Sequence, residues 1–147
     1  MSKTEITNTL KIILANNYIL YLKTQNYHWN VTGSNFYSLH LLFESQYKDL
    51  SDAIDLIAER IRAIGSKAPA NTTYYQNNSS IKDGNENYSA TEMLEDLMKD
   101  QKIITKLLYK SMDIAKKHND ETTISMLADR IEIHDKNHWM INSLLSK

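Results

Sequence analysis

Five side chains able to bind a metal ion lie within 32 residues of one another in the N-terminal half of the chain. They are two imidazoles and three carboxylates at steps of 12, 4, 11 and 4 residues: His28, His40, Glu44, Asp55 and Glu59. Imidazole nitrogen and carboxylate oxygen suit iron, zinc or manganese, and the chain has no cysteine to favour a softer ion. Each residue alone could belong to a solvated helix face, but the set as a whole predicts a metal site.

The segments that carry these side chains have the apolar periodicity of helices. Apolar residues recur every three or four positions, and the three glycines and one proline fall between the periodic segments. We expect long helices over about 5–29, 36–64, 90–118 and 121–145. The chain is therefore predicted to be all-α, with a single domain over residues 1–147.

Helix caps and connection lengths predict the topology. Residue types that begin or end helices stand at the expected boundaries: Ser34 or Asn35, Gly65, Ser89 with Glu92, and Asp120. The short first loop makes the first two helices antiparallel neighbours. The polar segment 66–88 is a long connection, in which we expect a short helix near 71–77. Four helices with one long crossover form a ferritin-like four-helix bundle.

The spacing along the second helix predicts that two chains share the metal site. His40 and Glu44 are one turn apart, as are Asp55 and Glu59, but the two pairs lie about 22 Å apart along the axis. Metal–ligand bonds are about 2 Å long, so one straight helix cannot bring both pairs to one ion. His28, Glu44 and His40 then form an imidazole half-site, and Asp55 with Glu59 forms a carboxylate half-site.

A two-fold axis that crosses two antiparallel second helices would join each half-site to its complement. Midway between the pairs lie Asp49 and Leu50, so we expect the axis at that level of the helix. No glutamate has a histidine three residues later, so an internal di-iron centre within one bundle is not expected.

Other candidate sites have simpler interpretations. His134 and His138 have the spacing of zinc ligands, but HDKNH lacks the glutamate of HExxH and lies on an apolar stripe, so we expect buried, hydrogen-bonded histidines. A net charge of −1 and a single lysine, Lys3, before the first helix make DNA binding weak or absent. With no signal peptide and no long apolar stretch, we expect a cytoplasmic protein without membrane contact.

The run from Tyr27 to Gly65 closely resembles the Dps family, the mini-ferritins also called DNA-binding proteins from starved cells. The matching text is HWNVTGSNFYSLHLLFE, two aspartates three residues apart, AER and IG, with a weaker match at DKNHWM near the C-terminus. The resemblance implies a hollow dodecamer that oxidises Fe(II), commonly with hydrogen peroxide, and stores the ferric product inside.

By motif position, the resemblance assigns iron ligands His28, His40 and Glu44 to one subunit and Asp55 and Glu59 to its partner. The family often has aspartate at position 44, so the longer Glu44 is a departure that bears on the second metal position. Asn137 and His138 also depart from the usual histidine and apolar residue.

The family's acidic entry pores lie where the last helix begins, and the matching residues are Asp120, Glu121 and Asp129. The alternative is that Asp120 caps the helix and the other two favour its positive end. Two alternatives also remain for the whole protein. One is a DNA-compacting stress protein with little ferroxidase activity, and the other is a helical adaptor without chemistry.

Overall fold

The structure, a computed structural model, describes residues 2–146 as five helices without a strand in that range. The helices are α1 (Ser2–Asn30), α2 (Phe36–Ile64), α3 (Thr72–Asn78), α4 (Ala90–Lys117) and α5 (Glu121–Leu145). The predicted all-α four-helix bundle, with a short helix in its long connection, is confirmed. Helix α1 begins three residues earlier than expected, so Lys3 lies within it. No helix in the described range is both long and apolar enough to cross a membrane.

The helix boundaries follow the capping signals in the sequence, with one exception. Gly65 adopts a φ of 115° and ends α2, where its N–H and that of Ser66 bond to carbonyl groups of the last turn. Ser89 and Glu92 form the predicted capping box of α4. Asn35 occupies the cap position of α2 but makes no side-chain cap, and its backbone (φ −101°, ψ 19°) is not in the extended conformation typical of a capping residue.

The core is formed by the apolar faces of the four long helices. Along α2, Leu39, Phe43, Leu50, Ile57 and Ile61 are buried, as their spacing predicts. Helix α1 packs on α2 and α4, and α4 packs on α5. This arrangement holds the end of α1 beside the beginning of α2, where the imidazole half-site lies.

Two buried polar networks were not predicted. In the first, the Lys23 network, the ammonium group of Lys23 contacts Asp100 at 2.8 Å and Asp96 at 3.2 Å, and the Tyr27 hydroxyl donates to Asp96. The connection between α3 and α4 packs closely on Lys23, so that a Cβ added at Gly84 would lie 2.9 Å from Lys23 Cγ.

The second network, the Arg130 network, joins α2, α4 and α5. Arg130 donates two hydrogen bonds to Asp49, at 3.0 and 2.8 Å, and one to His134 at 3.3 Å, while His134 donates to Gln101 at 2.7 Å. Asp49 is partly buried because α5 presents the buried Arg130 guanidinium to it.

Candidate metal centre

The two imidazole rings of the predicted site are stacked, and each is hydrogen-bonded to the backbone carbonyl group of the other histidine. The ring centroids of His28 and His40 lie 3.8 Å apart, with 13° between the planes. Nδ1 of each histidine lies 2.7 Å from the backbone carbonyl oxygen of the other. A carbonyl oxygen can only accept, so each Nδ1 carries a proton. In the neutral rings both Nε2 atoms therefore keep a lone pair, which is the group that binds a metal.

This arrangement follows from the local chain path. A short turn, closed by the N–H of Val31 bonding to the carbonyl of Tyr27, brings the end of α1 beside the first turns of α2. The two carbonyl groups used by the imidazoles belong to that junction, where His28 is near the last turn of α1 and His40 is in the second turn of α2. The antiparallel helix pair therefore fixes both ring positions.

Aromatic side chains support the imidazole pair on both sides. Phe36 stacks on His40 with 5.1 Å between centroids, and Tyr47 packs against His28 at the same distance. His28 is 7% exposed, whereas His40 is half-buried. Phe36 and Tyr47 belong to the apolar seam of α2, and their positions four residues before and seven residues after His40 place them on the same helix face.

Glu44 lies one turn from His40 and is partly exposed. Its carboxylate contacts the Lys48 ammonium at 2.8 Å. The hydrogen bond and charge of Lys48 lower the pKa of Glu44, and the nearby imidazoles of His28 and His40 act in the same direction. Glu44 is therefore an ionised carboxylate near the imidazole pair, held by an exposed lysine that a metal ion would have to displace.

Asp55 and Glu59 lie on the exposed outer face of α2, apart from the imidazole half-site. Within residues 2–146 of one protomer, no group of three or more histidine, cysteine, aspartate or glutamate side chains could hold a metal ion. The five residues are thus not brought together in one chain. Whether a second protomer brings the half-sites together remains a prediction.

Polar side chains form the surface of α2 at the level of the predicted axis. Leu50 is buried, and Asp49 is paired with Arg130 and only partly exposed. The exposed residues at that level are Lys48, Ser51 and Asp52. A contact between two α2 helices would therefore use these polar side chains at its centre.

Asp120 acts as the predicted helix cap. Its carboxylate accepts hydrogen bonds from the N–H and hydroxyl of Thr123, at 3.1 and 2.6 Å, and one from Arg60 at 3.0 Å. Burial acts to raise the pKa of Asp120, but the hydrogen bonds from Thr123 and the Arg60 charge lower it overall. Glu121 and Asp129 are exposed, and Asp129 lines a groove between α2 and α5 together with Glu59. Pore lining by these residues remains a prediction.

His134 and His138 do not form a metal pair. His134 is buried, and both of its ring nitrogens are engaged, one with Gln101 and the other with Arg130. Burial, together with the Arg130 charge, lowers the pKa of His134 to about 3. The prediction of a buried, hydrogen-bonded histidine is confirmed for His134, whereas His138 is only half-buried.

Comparison with known proteins places this geometry in a family. The family model for the ferritin-like domain matches residues 7–147. The chain is 36% identical over 148 residues to a DNA protection during starvation protein of Brevibacillus brevis, covering 97% of this chain and 99% of that protein. It is 37% identical over 129 residues to DNA protection during starvation protein 2 of Bacillus anthracis, covering 88% of each chain.

Solved structures agree with these relatives. A Dps protein from Bacillus brevis superposes with a TM-score of 0.96 at 33% identity, covering 99% of this chain and 97% of that one. Dps from Staphylococcus aureus gives 0.94 at 35% identity, with 97% and 95% covered. A Dps protein from Vibrio cholerae, described as a member of a broad superfamily of ferritin-like diiron-carboxylate proteins, gives 0.95 at 29% identity, with 99% and 91% covered. This chain belongs to the Dps family of ferritin-like proteins.

Proposed function

We propose that this protein is an iron-detoxifying ferroxidase that binds Fe(II) at sites shared between two protomers. It oxidises the iron with hydrogen peroxide and stores the ferric product in a hollow homo-oligomer, a dodecamer. The observation that carries the proposal is the mutual hydrogen bonding of His28 and His40, which leaves two Nε2 lone pairs beside the Glu44 carboxylate. The description of the Vibrio cholerae relative as a diiron-carboxylate protein supports iron as the metal.

The two imidazoles of the half-site can bind iron without changing tautomer. Because each Nδ1 proton is already bonded to a carbonyl group, neither ring needs to change tautomer when Nε2 receives a metal. With both Nδ1 protons engaged, Nε2 is the nitrogen that each ring leaves for a metal ion.

The carboxylate half-site supplies the charge that the imidazoles lack. Asp55 and Glu59 from a second copy would contribute anionic oxygen ligands, with Glu59 placed to bridge two ions. Two Fe(II) ions together give the two electrons that one hydrogen peroxide molecule needs for reduction to two water molecules. A paired reaction therefore releases no hydroxyl radical.

The test compares Asp55→Ala with Asp113→Ala, the same change at an exposed aspartate of α4 outside the predicted site. Fe(II) oxidation is followed by absorbance under peroxide and under air, and particle mass is measured for every variant. Asp55→Ala should lose fast peroxide-dependent oxidation while keeping its particle mass, and Asp113→Ala should keep both. A normal rate for Asp55→Ala would contradict the proposed site.

Mixed assemblies test whether two chains share each site. His28→Ala and Glu59→Ala subunits are each inactive in the proposed mechanism, but a mixed dimer contains one site with both half-sites intact. Co-refolding the two variants should therefore restore part of the oxidation rate. No recovery in assemblies shown by mass to contain both chains would mean that the ligands do not come from different protomers.

DNA compaction is the second candidate, because the names of the relatives refer to DNA protection. The lysines of α4 are exposed, as expected for a solvated face: Lys99, Lys102, Lys106, Lys110, Lys116 and Lys117. A protomer net charge of −1 opposes phosphate binding, which depends on counterion release. A gel shift at several salt concentrations separates the candidates, since DNA compaction requires strong binding that weakens steeply with salt.

A further inference from the structure

A chain of aromatic rings runs from the imidazole half-site to the short helix α3. It contains five of the nine tyrosines in the protein, and we call it the tyrosine chain: Tyr47, Tyr21, Tyr18, Tyr75 and Tyr74. It begins at Tyr47, which packs against His28. The members come from α1, α2 and α3, so only the tertiary fold makes them continuous.

Each step of the tyrosine chain is short. The centroid distance is 6.0 Å from Tyr47 to Tyr21 and again from Tyr21 to Tyr18. Tyr18 then stacks on Tyr75 at 4.6 Å with 22° between planes, and Tyr74 follows at 6.3 Å. All of these distances lie within the range of direct aromatic contact. Electronic coupling decays exponentially with distance, so contacts of this kind suit stepwise electron transfer.

The residue type matters as well as the contact. The protein has nine tyrosines but only two phenylalanines, and both phenylalanines are outside this chain. If these rings served only packing, phenylalanine would suffice, because it has no hydroxyl group that requires a hydrogen-bond partner. Tyrosine differs in that its phenol can give up an electron and a proton together, so a row of tyrosines can carry oxidation away from a metal site.

We propose that the tyrosine chain supplies the second electron when peroxide meets an iron site that holds only one Fe(II). This inference rests on the proposed ferroxidase function. One electron comes from Fe(II), which becomes Fe(III), and one comes from a tyrosine, which becomes a neutral phenoxyl radical as its hydroxyl proton leaves. The balance is Fe(II) + tyrosine + H2O2 + H+ giving Fe(III) + phenoxyl radical + two H2O.

Hydroxyl-group environments indicate where the oxidised tyrosine rests. The Tyr75 hydroxyl donates to the carbonyl oxygen of Pro69 at 2.6 Å, and a carbonyl group is too weak a base to keep that proton. The Tyr21 hydroxyl accepts from Gln25 at 3.1 Å. Tyr18 is 38% exposed, so its phenol can release a proton to water. The radical therefore rests on Tyr18, three rings away from the peroxide.

The experiment loads the assembled protein with one Fe(II) per site without oxygen and adds hydrogen peroxide. Freeze-quenched electron paramagnetic resonance then detects tyrosyl radicals, and protein with ring-deuterated tyrosine confirms their identity through a narrower signal. The wild-type protein should give the signal and consume one peroxide per Fe(II). With two Fe(II) per site, it should consume one peroxide per two Fe(II) and give little radical.

Two substitutions and one control locate the radical. Tyr47→Phe removes the first ring that can be oxidised and should lose the signal. Tyr21→Phe confines oxidation to Tyr47, so the line shape should change, because β-proton couplings depend on the ring dihedral angle. Tyr109→Phe changes an exposed tyrosine on α4 outside the chain and should leave the signal as in the wild type.

The outcomes separate this proposal from the ferroxidase proposal. A wild-type protein that oxidises iron without a tyrosyl signal overturns the tyrosine chain and leaves the ferroxidase intact. A signal of the same size in Tyr47→Phe, or of unchanged shape in Tyr21→Phe, also overturns it. A wild-type protein that oxidises no Fe(II) under peroxide overturns both proposals.

Discussion

Replacing Lys23 by methionine should be among the most destabilising single changes in the bundle. The Lys23 side chain is 1% exposed and contacts the carboxylates of Asp100 at 2.8 Å and Asp96 at 3.2 Å. Methionine has a similar volume and keeps the packing of the stem, so the change removes mainly the positive charge. What remains is a pair of carboxylates, of which Asp100 is 4% exposed and Asp96 25% exposed.

The magnitude follows from burial of the unpaired charge. Removing one member of a buried ion pair typically costs about 3–5 kcal/mol, because the partner is left in a site without solvent. Asp96 still accepts the Tyr27 hydroxyl, so the cost arises chiefly from Asp100. We therefore expect the free energy of unfolding to fall by about 3–5 kcal/mol near neutral pH.

The loss should depend on pH in a defined direction. Burial raises the pKa of Asp100 to about 6 even though Lys23 acts to lower it. The native state therefore keeps a proton that the unfolded chain releases from about pH 4 to 6, and stability falls as the pH rises through this window. Without Lys23 the pKa of Asp100 rises further, so the deficit of the variant is largest above pH 6 and shrinks as the pH falls below it.

Denaturant unfolding at fixed protomer concentration measures the effect, because the midpoint of an assembly depends on concentration. Lys99→Met is the matched control on α4, where an exposed lysine should contribute little. Adding Asp100→Leu to Lys23→Met removes the unpaired charge and should recover much of the lost stability. A Lys23→Met variant as stable as Lys99→Met at neutral pH would refute this reasoning, as would a deficit that grows on acidification.

Three further changes test other parts of the structure. His134→Gln keeps one donor and one acceptor at a buried site. Because burial lowers the pKa of His134 to about 3, the wild type should lose stability as the pH falls from about 6.5 to 3, and the variant should lose less. Equal slopes in the acid unfolding curves of the two proteins would contradict this. Gly84→Ala places a Cβ 2.9 Å from Lys23 Cγ and should cost about 1–3 kcal/mol by thermal or denaturant unfolding, and an unchanged midpoint would show that the loop shifts freely. Ser89→Ala removes the cap of α4 and should cost about 1 kcal/mol, compared with Ser125→Ala at an exposed position of α5 as the control.

The helices and much of the core could be predicted from the sequence because they depend on local properties. Apolar spacing along α2 selects the face that becomes buried, and Gly65 ends the helix through a backbone conformation that other residues adopt at a cost. The capping box at Ser89 and the cap at Asp120 are equally local. The proximity of His28 to His40 also follows, since a short turn between two antiparallel helices brings these positions together.

Contacts between distant segments could not be predicted in this way. Asp49 has the sequence neighbours of a solvated residue, and only α5 shows that Arg130 holds it. Lys23 on an apolar helix face gives no local sign of the two carboxylates on α4 that neutralise it. Periodicity describes which face of a helix turns inward, but it does not identify the side chains that face one another there.

The sequence alone determined the all-α bundle, its short crossover helix, and two groups of candidate metal ligands too far apart along one helix to share an ion. Only the tertiary structure decided that each imidazole donates to the other's carbonyl group, and that five tyrosines form one line of contacts from His28 to α3. The physical reason is that helix formation depends on neighbours within a few residues. Tautomers, buried charges and ring contacts depend instead on which helix faces meet.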